Sequence, residues 1–463
     1  MKNKRMRGGV GLLMKNKFRY YVFTMLTFIT MVNYIDRGAI AYAQSFIIKE
    51  YGFDPKEWGA ILGYFGYGYM IGSLLGGIFS DKKGPKFVWI VAATAWSIFE
   101  IATAFAGEIG IAVFGGSALI GFAIFRVLFG LTEGPSFAVS NKTAANWAAP
   151  KERAFLTSLG FVGVPLGAVL TAPVAVLLLS FTSWKIMFFI LGTIGIVWAI
   201  IWYFTFTNMP EDHPRVTKEE LAEIRSTEGV LQSVKVEKEI PKEPWYSFFK
   251  VPTFVMVTIA YFCFQYINFL ILTWTPKYLQ DVFHFQLSSL WYLGMIPWLG
   301  ACITLPLGAK LSDRILRKTG NLRLARTGLP IIALLLTAIC FSFIPAMNNY
   351  VAVLALMSLG NAFAFLPSSL FWAIIVDTAP AYSGTYSGIM HFIANIATIL
   401  APTLTGYLVV SYGYPSMFIV AAILAAIAMG AMLFVKPGQQ TKTESLFNWR
   451  GKKRLEEPRA NFE

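Results

Sequence analysis

The chain of 463 residues is 56% hydrophobic and 16% aromatic but only 14% charged, which excludes a soluble multidomain enzyme, whose surface needs far more charge at this length. The formal charge of +14 would suit a nucleic-acid partner if it covered one face, but Lys and Arg gather in alternate connecting segments, so no nucleic acid is expected. Cys263, Cys302 and Cys340 lie in or beside apolar runs, and His213, His284 and His391 are scattered, so neither disulfide, metal nor cofactor is expected.

Apolar runs longer than the ~18 residues that signal a membrane span predict an all-α membrane protein of twelve transmembrane helices. The basic N-terminal stretch, residues 1–19, precedes an apolar run too long for a signal-peptide core. Although Ala41-Tyr42-Ala43 imitates a cleavage site, the run is expected to stay as the first helix. Predicted spans are 20–45, 57–80, 87–106, 111–138, 154–179 and 184–206, then 252–280, 287–311, 327–346, 350–377, 384–410 and 414–436. Residues 207–250 form the long polar break between two six-helix halves, 20–206 and 251–436, and 437–463 form a tail. Within the break, Thr217 with Glu220 three residues later predicts a capping box opening a short helix. Aromatic residues in "EPWYSFFK" predict an interfacial segment before the seventh span.

Lys82, Lys83 and Lys86 follow the second span, Lys142, Lys151 and Arg153 the fourth, and Arg314, Arg317, Lys318, Arg323 and Arg326 the eighth. The links after the third, ninth and eleventh spans carry no Lys or Arg. The positive-inside rule therefore predicts a multi-pass cell-membrane protein with both termini cytoplasmic.

The two halves echo each other. "GGIFSDKKGPK" (Gly76–Lys86) and "GAKLSDRILRKTG" (Gly308–Gly320) share Gly-x-x-x-Ser-Asp followed by basic residues, the pattern of internal repeats around a central site. These loops resemble the signature G-x-x-x-D-[RK]-x-G-[RK]-[RK] of the major facilitator superfamily. The first copy departs from it at Pro85 and the second at Ala309 and Leu316. The resemblance implies two pseudo-symmetric six-helix bundles, with Gly77, Asp81, Asp313 and Arg314 belonging to loops that lock the inward-closed ends.

Charge inside the membrane costs roughly 2.5–3.5 kcal/mol per group on insertion scales, so such groups mark the functional path. Asp36 and Arg37 are the only formal charges between Tyr20 and Ala43. In "IFRVLFGLTEGPSF", Arg126 and Glu133 are seven residues apart, nearly two turns, and point to one face. Structural pairs, Asp36 with Arg126 or Arg37 with Glu133, are one reading. Ligand binding explains the residue types better: arginine offers a planar fork for a carboxylate, and a carboxyl out of water becomes a reversible proton carrier.

"NYIDR" and "R-x-x-x-G-x-x-E-G" resemble the anion:cation symporter branch of that superfamily, which includes bacterial galactonate, hexuronate, glucarate and phthalate carriers and animal vesicular glutamate and sialic acid carriers. "SWKIMFFILG", "MPEDHP" and "WTPKYL" are similar to further stretches of its bacterial members. The resemblance implies that Arg37 and Arg126 line the substrate path and that Asp36 and Glu133 couple movement to protons, with Glu133 touching substrate too. "GIMHFIANIATILAPTLTG" resembles the branch's eleventh helix and makes Asn395 a substrate contact, with an interhelical hydrogen bond as the rival role. Tyr64, Tyr67, Gln265 and Asn268 are candidates for lining the cavity, with packing as the alternative. Glu100 faces headgroups, an internal partner or the cavity, and His391 is expected to pack or sit at an interface.

"GFVGVPLGAVLTAP" is a broken form of the antiporter signature, interrupted by Val164. No phosphate-binding loop is present, so ATP is not the expected energy source, and nothing points to an enzyme. The expected protein is a monomeric secondary transporter importing a small organic anion, a sugar acid or related carboxylate, with protons by alternating access. An exchanger of the same fold, a drug exporter and a non-transporting sensor are the alternatives.

Overall fold

In this computed structural model the described residues are 17–148, 153–225, 245–379 and 383–438. The first half contains α1 (Phe18–Tyr51), α2 (Pro55–Lys83), α3 (Pro85–Thr103), the short α4 (Ala106–Val113), α5 (Ala118–Glu133), α6 (Ser136–Trp147), α7 (Arg153–Phe181) and α8 (Trp184–Thr205). The linker holds α9 (Lys218–Ile224). The second half contains α10 (Pro252–Phe283), α11 (Leu287–Leu293), α12 (Ile296–Thr319), α13 (Leu329–Phe343), α14 (Tyr350–Phe365), α15 (Ser368–Thr378), α16 (Ser383–Ala394), α17 (Ile396–Tyr412) and α18 (Pro415–Phe434). No strand occurs among the described residues.

Eleven spans among the described residues, each one helix or two or three helical pieces end to end, are long and apolar enough to cross a membrane. The 34-residue α1 is the twelfth by length, its mean hydropathy lowered by the polar residues that make it interesting. Local chemistry sets the helix ends. Gly52, in the left-handed region at φ 74°, closes α1 with its N–H on the Ile48 carbonyl, a conformation glycine adopts without penalty. Two residues later Asp54 and Glu57 form a reciprocal capping box, with Pro55 at the first helical position.

The fourth span begins at Ala118 rather than at 111. Gly115 and Gly116, at φ 67° and 87°, make a turn that no helix can run through, and Ser117 then caps α5. The basic segment after the eighth span is helical too: α12 runs to Thr319 and stops at Gly320 in the left-handed region. Asp313 and Arg314 are therefore helix residues, not loop residues.

Inside hydrocarbon, helices associate through close packing and polar contacts, because lipid tails match apolar side chains. α1 and α7 lie together with the Thr27 and Thr30 hydroxyls donating to the Leu159 and Gly160 carbonyls. α2 meets α5 through glycine: a Cβ on Gly68 would sit 1.8 Å from the Val127 carbonyl oxygen. Outward faces carry exposed apolar side chains such as Phe181, Phe204 and Ile303, as expected of a lipid-facing surface.

The halves meet at the end away from the termini. There α2 lies against α17, where a Cβ on Gly63 would fall 2.1 Å from Thr403 Oγ1. Also at this end, Ser45 of α1 donates to Gln280 of α10 at 2.8 Å.

The linker helix behaves differently from its sequence expectation. Thr217 caps it by accepting from the Glu220 N–H, but Glu220 does not complete the capping box. Its carboxylate accepts from the Phe18 and Arg19 backbone N–H groups, both at 3.0 Å. Helix α1 has no side-chain cap of its own, and its exposed N–H groups attract an anion more strongly than the linker's single N–H does. Glu223 adds ion pairs to Lys17 and Arg19, which hold its carboxyl below the usual carboxylate range.

Candidate functional site

Three of the longer spans break near mid-membrane, and two of the breaks carry candidate residues. Glu133 is the last residue of α5, before Gly134 and Pro135 and the start of α6. Asn395 sits between α16 and α17. The third break, at Pro367, lies between α14 and α15. Proline removes a backbone donor and interrupts the helical ladder. Discontinuous spans place polar groups at membrane depth where a cavity needs them.

At the centre of the first half, Arg37 of α1 is held by Glu133. Its Nε and Nη2 donate to Glu133 Oε2 at 3.1 and 2.9 Å, and Nη2 also donates to Asn33 Oδ1 at 3.1 Å. Arg37 is 3% exposed and Glu133 is fully buried. The guanidinium carbon lies 4.6–5.7 Å from the ring centroids of Tyr34, Phe65, Tyr69 and Phe269. The last ring comes from α10, so this cation stands at the junction of the halves. Aromatic faces compensate a desolvated cation by roughly 2 kcal/mol or more in favourable cases.

Arg126 is equally buried, over Phe65 and Phe129, but it is in no ion pair among the described residues and its Nε has no hydrogen-bond partner. Asp36 is fully buried and, among the described residues, neither carboxylate oxygen has a hydrogen-bond partner. Adjacent helix residues point about 100° apart, so Arg37 reaches Glu133 and α10 while Asp36 turns toward the interior of the first half. Of the two possible structural pairs, the described residues contain Arg37 with Glu133.

The remaining candidates are placed as follows. Asn395 is fully buried and, among the described residues, both its side-chain polar atoms are unpartnered. Gln265 is 7% exposed on α10, with Asn268 one turn along and its Oδ1 unpartnered. Tyr64 and Tyr67 contact each other, at 6.4 Å between centroids, whereas the rings of α2 that face the arginines are Phe65 and Tyr69. The helix period explains it: 65 and 69 are one turn apart on the face toward α1 and α5, whereas 64 falls to the side of that face and 67 opposite it. Gly77 stands 4.0 Å from Ala138 if given a Cβ. The side chain of Asp81 lies outside the described residues. Asp313 pairs with Arg326 at 3.0 Å, and Arg326 pairs with Asp377 at 2.7 Å, so this network ties α12, the start of the ninth span and α15 within one half. Arg314 is exposed.

Two residues that the sequence left outside the expected site belong to the same region. His391 accepts or donates through Nδ1 to the Tyr261 hydroxyl at 3.3 Å and leaves Nε2 unpartnered. Its ring meets Trp372 of α15 and also Phe137 of α6 in the opposite half. Its spacing of four from Asn395, one helical turn, is the signal that could have found it. Glu100 of α3 is fully buried, with both oxygens unpartnered among the described residues, the clearest sign that it does not face headgroups.

The paired repeats, the broken spans and a buried charge cluster at their junction form a family hallmark, and the Major Facilitator Superfamily profile matches residues 26–402 and 331–456. The chain belongs to this superfamily. The hexuronate transporter of Bacillus subtilis strain 168 is 31% identical, the alignment covering 93% of this chain and 98% of that protein. The probable sulfoacetate transporter of Cupriavidus necator is 30% identical, covering 91% and 94%. Among solved structures, the inward-open xylose transporter of Escherichia coli superposes with a TM-score of 0.71 at 16% identity, covering 92% of this chain and 99% of that one, a likeness in fold. The family member described here is thus a membrane transporter and not an enzyme.

Proposed function

We propose that this facilitator-superfamily member imports a small organic anion, a sugar acid or related carboxylate, together with protons, as a single chain in the cell membrane. The observation that carries this reading is the Arg37–Glu133 pair. A buried guanidinium fork already holds a carboxylate, in a ring-lined site at the junction of the halves, so the same fork suits the carboxylate of a substrate. Hexuronate and sulfoacetate, the compounds named for the two relatives, share one feature, a carboxylate on a small polar body.

The coupling follows from competition for that fork. Ionised, Glu133 occupies Arg37; protonated, it releases the two N–H donors to the incoming anion. Arg126, buried without an ion pair among the described residues, supplies a second positive charge, and Asp36 is the second proton carrier. Gln265 and Asn395 bring unclaimed or little-used amides from the second half to the substrate's hydroxyls, and Tyr64 and Tyr67 border the path. With the basic segments placed in the cytoplasm, the contacts of α2 with α17 and of α1 with α10 close the outer end, which is the inward-facing arrangement of alternating access.

Two measurements test it. A thermal-shift panel of hexuronates, galactonate, glucarate and sulfoacetate on purified protein should give stabilisation by at least one anion, and none by neutral sugars. In proteoliposomes, an imposed inward pH gradient should accelerate uptake, and Asp36→Asn should abolish the acceleration while sparing counterflow. An Asp36→Asn protein that still concentrates substrate overturns the role given to Asp36.

A further inference from the structure

His391 stands where the two halves touch, and the proposed cycle gives it no part. Its Nδ1 lies 3.3 Å from the Tyr261 hydroxyl oxygen, while Nε2 is buried and, among the described residues, has no hydrogen-bond partner. The ring lies against Trp372 in its own half and against Phe137 of α6 in the other, at 5.4 and 5.9 Å between centroids. Phenylalanine would serve packing between those rings equally well. A buried ring nitrogen without a partner costs free energy until something pairs with it. One helical turn away, Asn395 leaves both its polar atoms in the same condition.

The separation of His391 from Arg37 follows from α10. Tyr261 marks the level of His391 on that helix, and Phe269, whose ring centroid is 5.7 Å from the Arg37 guanidinium carbon, marks the level of Arg37. The eight residues between those two levels rise about 12 Å, and Gln265 lies midway, one turn from each. The first half joins the same two points. Arg37 donates to Asn33 Oδ1 at 3.1 Å, Asn33 Nδ2 donates to Ser136 Oγ at 3.4 Å, and Phe137, which meets His391, follows Ser136 in the chain. A hydrogen bond of about 3 Å at either end of that span leaves roughly 6 Å for a ligand, the length of a five- or six-carbon backbone. We infer that His391 is a specificity-determining residue, whose Nε2 pairs with a hydroxyl at the far end of a sugar acid held by its carboxylate on Arg37. The inference rests on the organic-anion reading above and deepens it, by selecting five- and six-carbon acids over short ones such as sulfoacetate. If Tyr261 gives the hydrogen to Nδ1, Nε2 is a donor; if Nδ1 gives it, Nε2 is an acceptor. A hydroxyl answers either tautomer, because it both donates and accepts. Gln265 and Asn395, between the two ends, suit the hydroxyls along the chain.

The test measures Kd on the purified full chain by calorimetry. The probes are sulfoacetate, galactonate and glucuronate, the last two each beside an analogue lacking the hydroxyl farthest from the carboxylate. Wild type should bind at least one six-carbon acid about three- to ten-fold more tightly than its deoxy analogue, the worth of one neutral hydrogen bond. His391→Phe keeps the ring contacts; it should weaken that acid by the same factor, abolish the discrimination and leave the Kd of the deoxy analogue unchanged. His391→Gln, whose amide extends about as far as Nε2 and pairs with a hydroxyl, should restore part of the discrimination, which a role in packing alone would not produce. Binding of no anion by wild type overturns the organic-anion reading itself. Binding of sulfoacetate but of neither six-carbon acid, or equal binding of each acid and its deoxy analogue, leaves that reading standing and refutes the role of His391. A His391→Phe protein that weakens the deoxy analogue as much as the parent acid, or weakens neither, refutes it as well.

Discussion

Glu133→Gln separates binding from coupling, because it keeps the shape of the side chain and removes its charge. In the wild type, the substrate must take two N–H donors of Arg37 from Glu133 Oε2, at 3.1 and 2.9 Å. Hydrogen bonds between charged groups are worth about 1.5–3 kcal/mol each, and those with a neutral partner about half as much. Replacing the carboxylate by an amide therefore makes the fork easier to claim by roughly 1.5–3 kcal/mol over the two bonds, or about ten- to a hundred-fold in Kd. The four rings around Arg37 and Asn33 keep the unpaired cation folded in place. Calorimetry across pH should show tighter anion binding by Glu133→Gln in the alkaline range and convergence with wild type in acid, where Glu133 is protonated anyway. In proteoliposomes the variant should exchange substrate but not accumulate it under a pH gradient. Weaker binding by the variant in alkali, or accumulation that survives, would refute the competition for Arg37.

Gly63→Val should block closure of the outer end, since even a Cβ there would lie 2.1 Å from Thr403 Oγ1 and 2.9 Å from the Ile399 carbonyl oxygen. Added to a Ser45→Cys background, it should raise labelling by an impermeant maleimide and abolish uptake; unchanged labelling would count against the closed contact. Glu220→Ala should lower thermal stability by about 1–2 kcal/mol through loss of the cap on α1, with anion Kd unchanged. At the same linker, His213 stacks on Phe18 at 3.9 Å, and burial pushes it below its ordinary 6.5. A group with a depressed value adds stability that is complete above 6.5 and fades as pH falls through the depressed value. Proteolysis of the linker should accelerate in mild acid, and His213→Phe should remove that acceleration.

The helix count, the two halves and the basic segments were legible because hydrocarbon imposes them locally: every span must satisfy its own backbone and present apolar side chains. So was the identity of the four charges, since nothing else in the first and fourth predicted spans carries one. The misjudged boundary at 111 shows the limit of hydropathy, as Gly115 and Gly116 are compatible with an apolar run but their positive φ is not compatible with a helix. Glu220 shows another: the Thr217 cap formed as its spacing requires, yet its partner carboxylate went to α1, a contact across two hundred residues.

The sequence by itself determined that charged and titratable groups enter the membrane, and on which helices. Tertiary structure alone decided that Arg37 pairs with Glu133, that among the described residues Arg126 and Asp36 enter no ion pair, and that Glu100 and His391 join the region. The reason is geometric. Composition and period fix a helix and its faces, but which side chains meet depends on each helix's rotation and axial offset against its neighbours, set by close glycine contacts such as Gly68 on Val127 and Gly63 on Thr403.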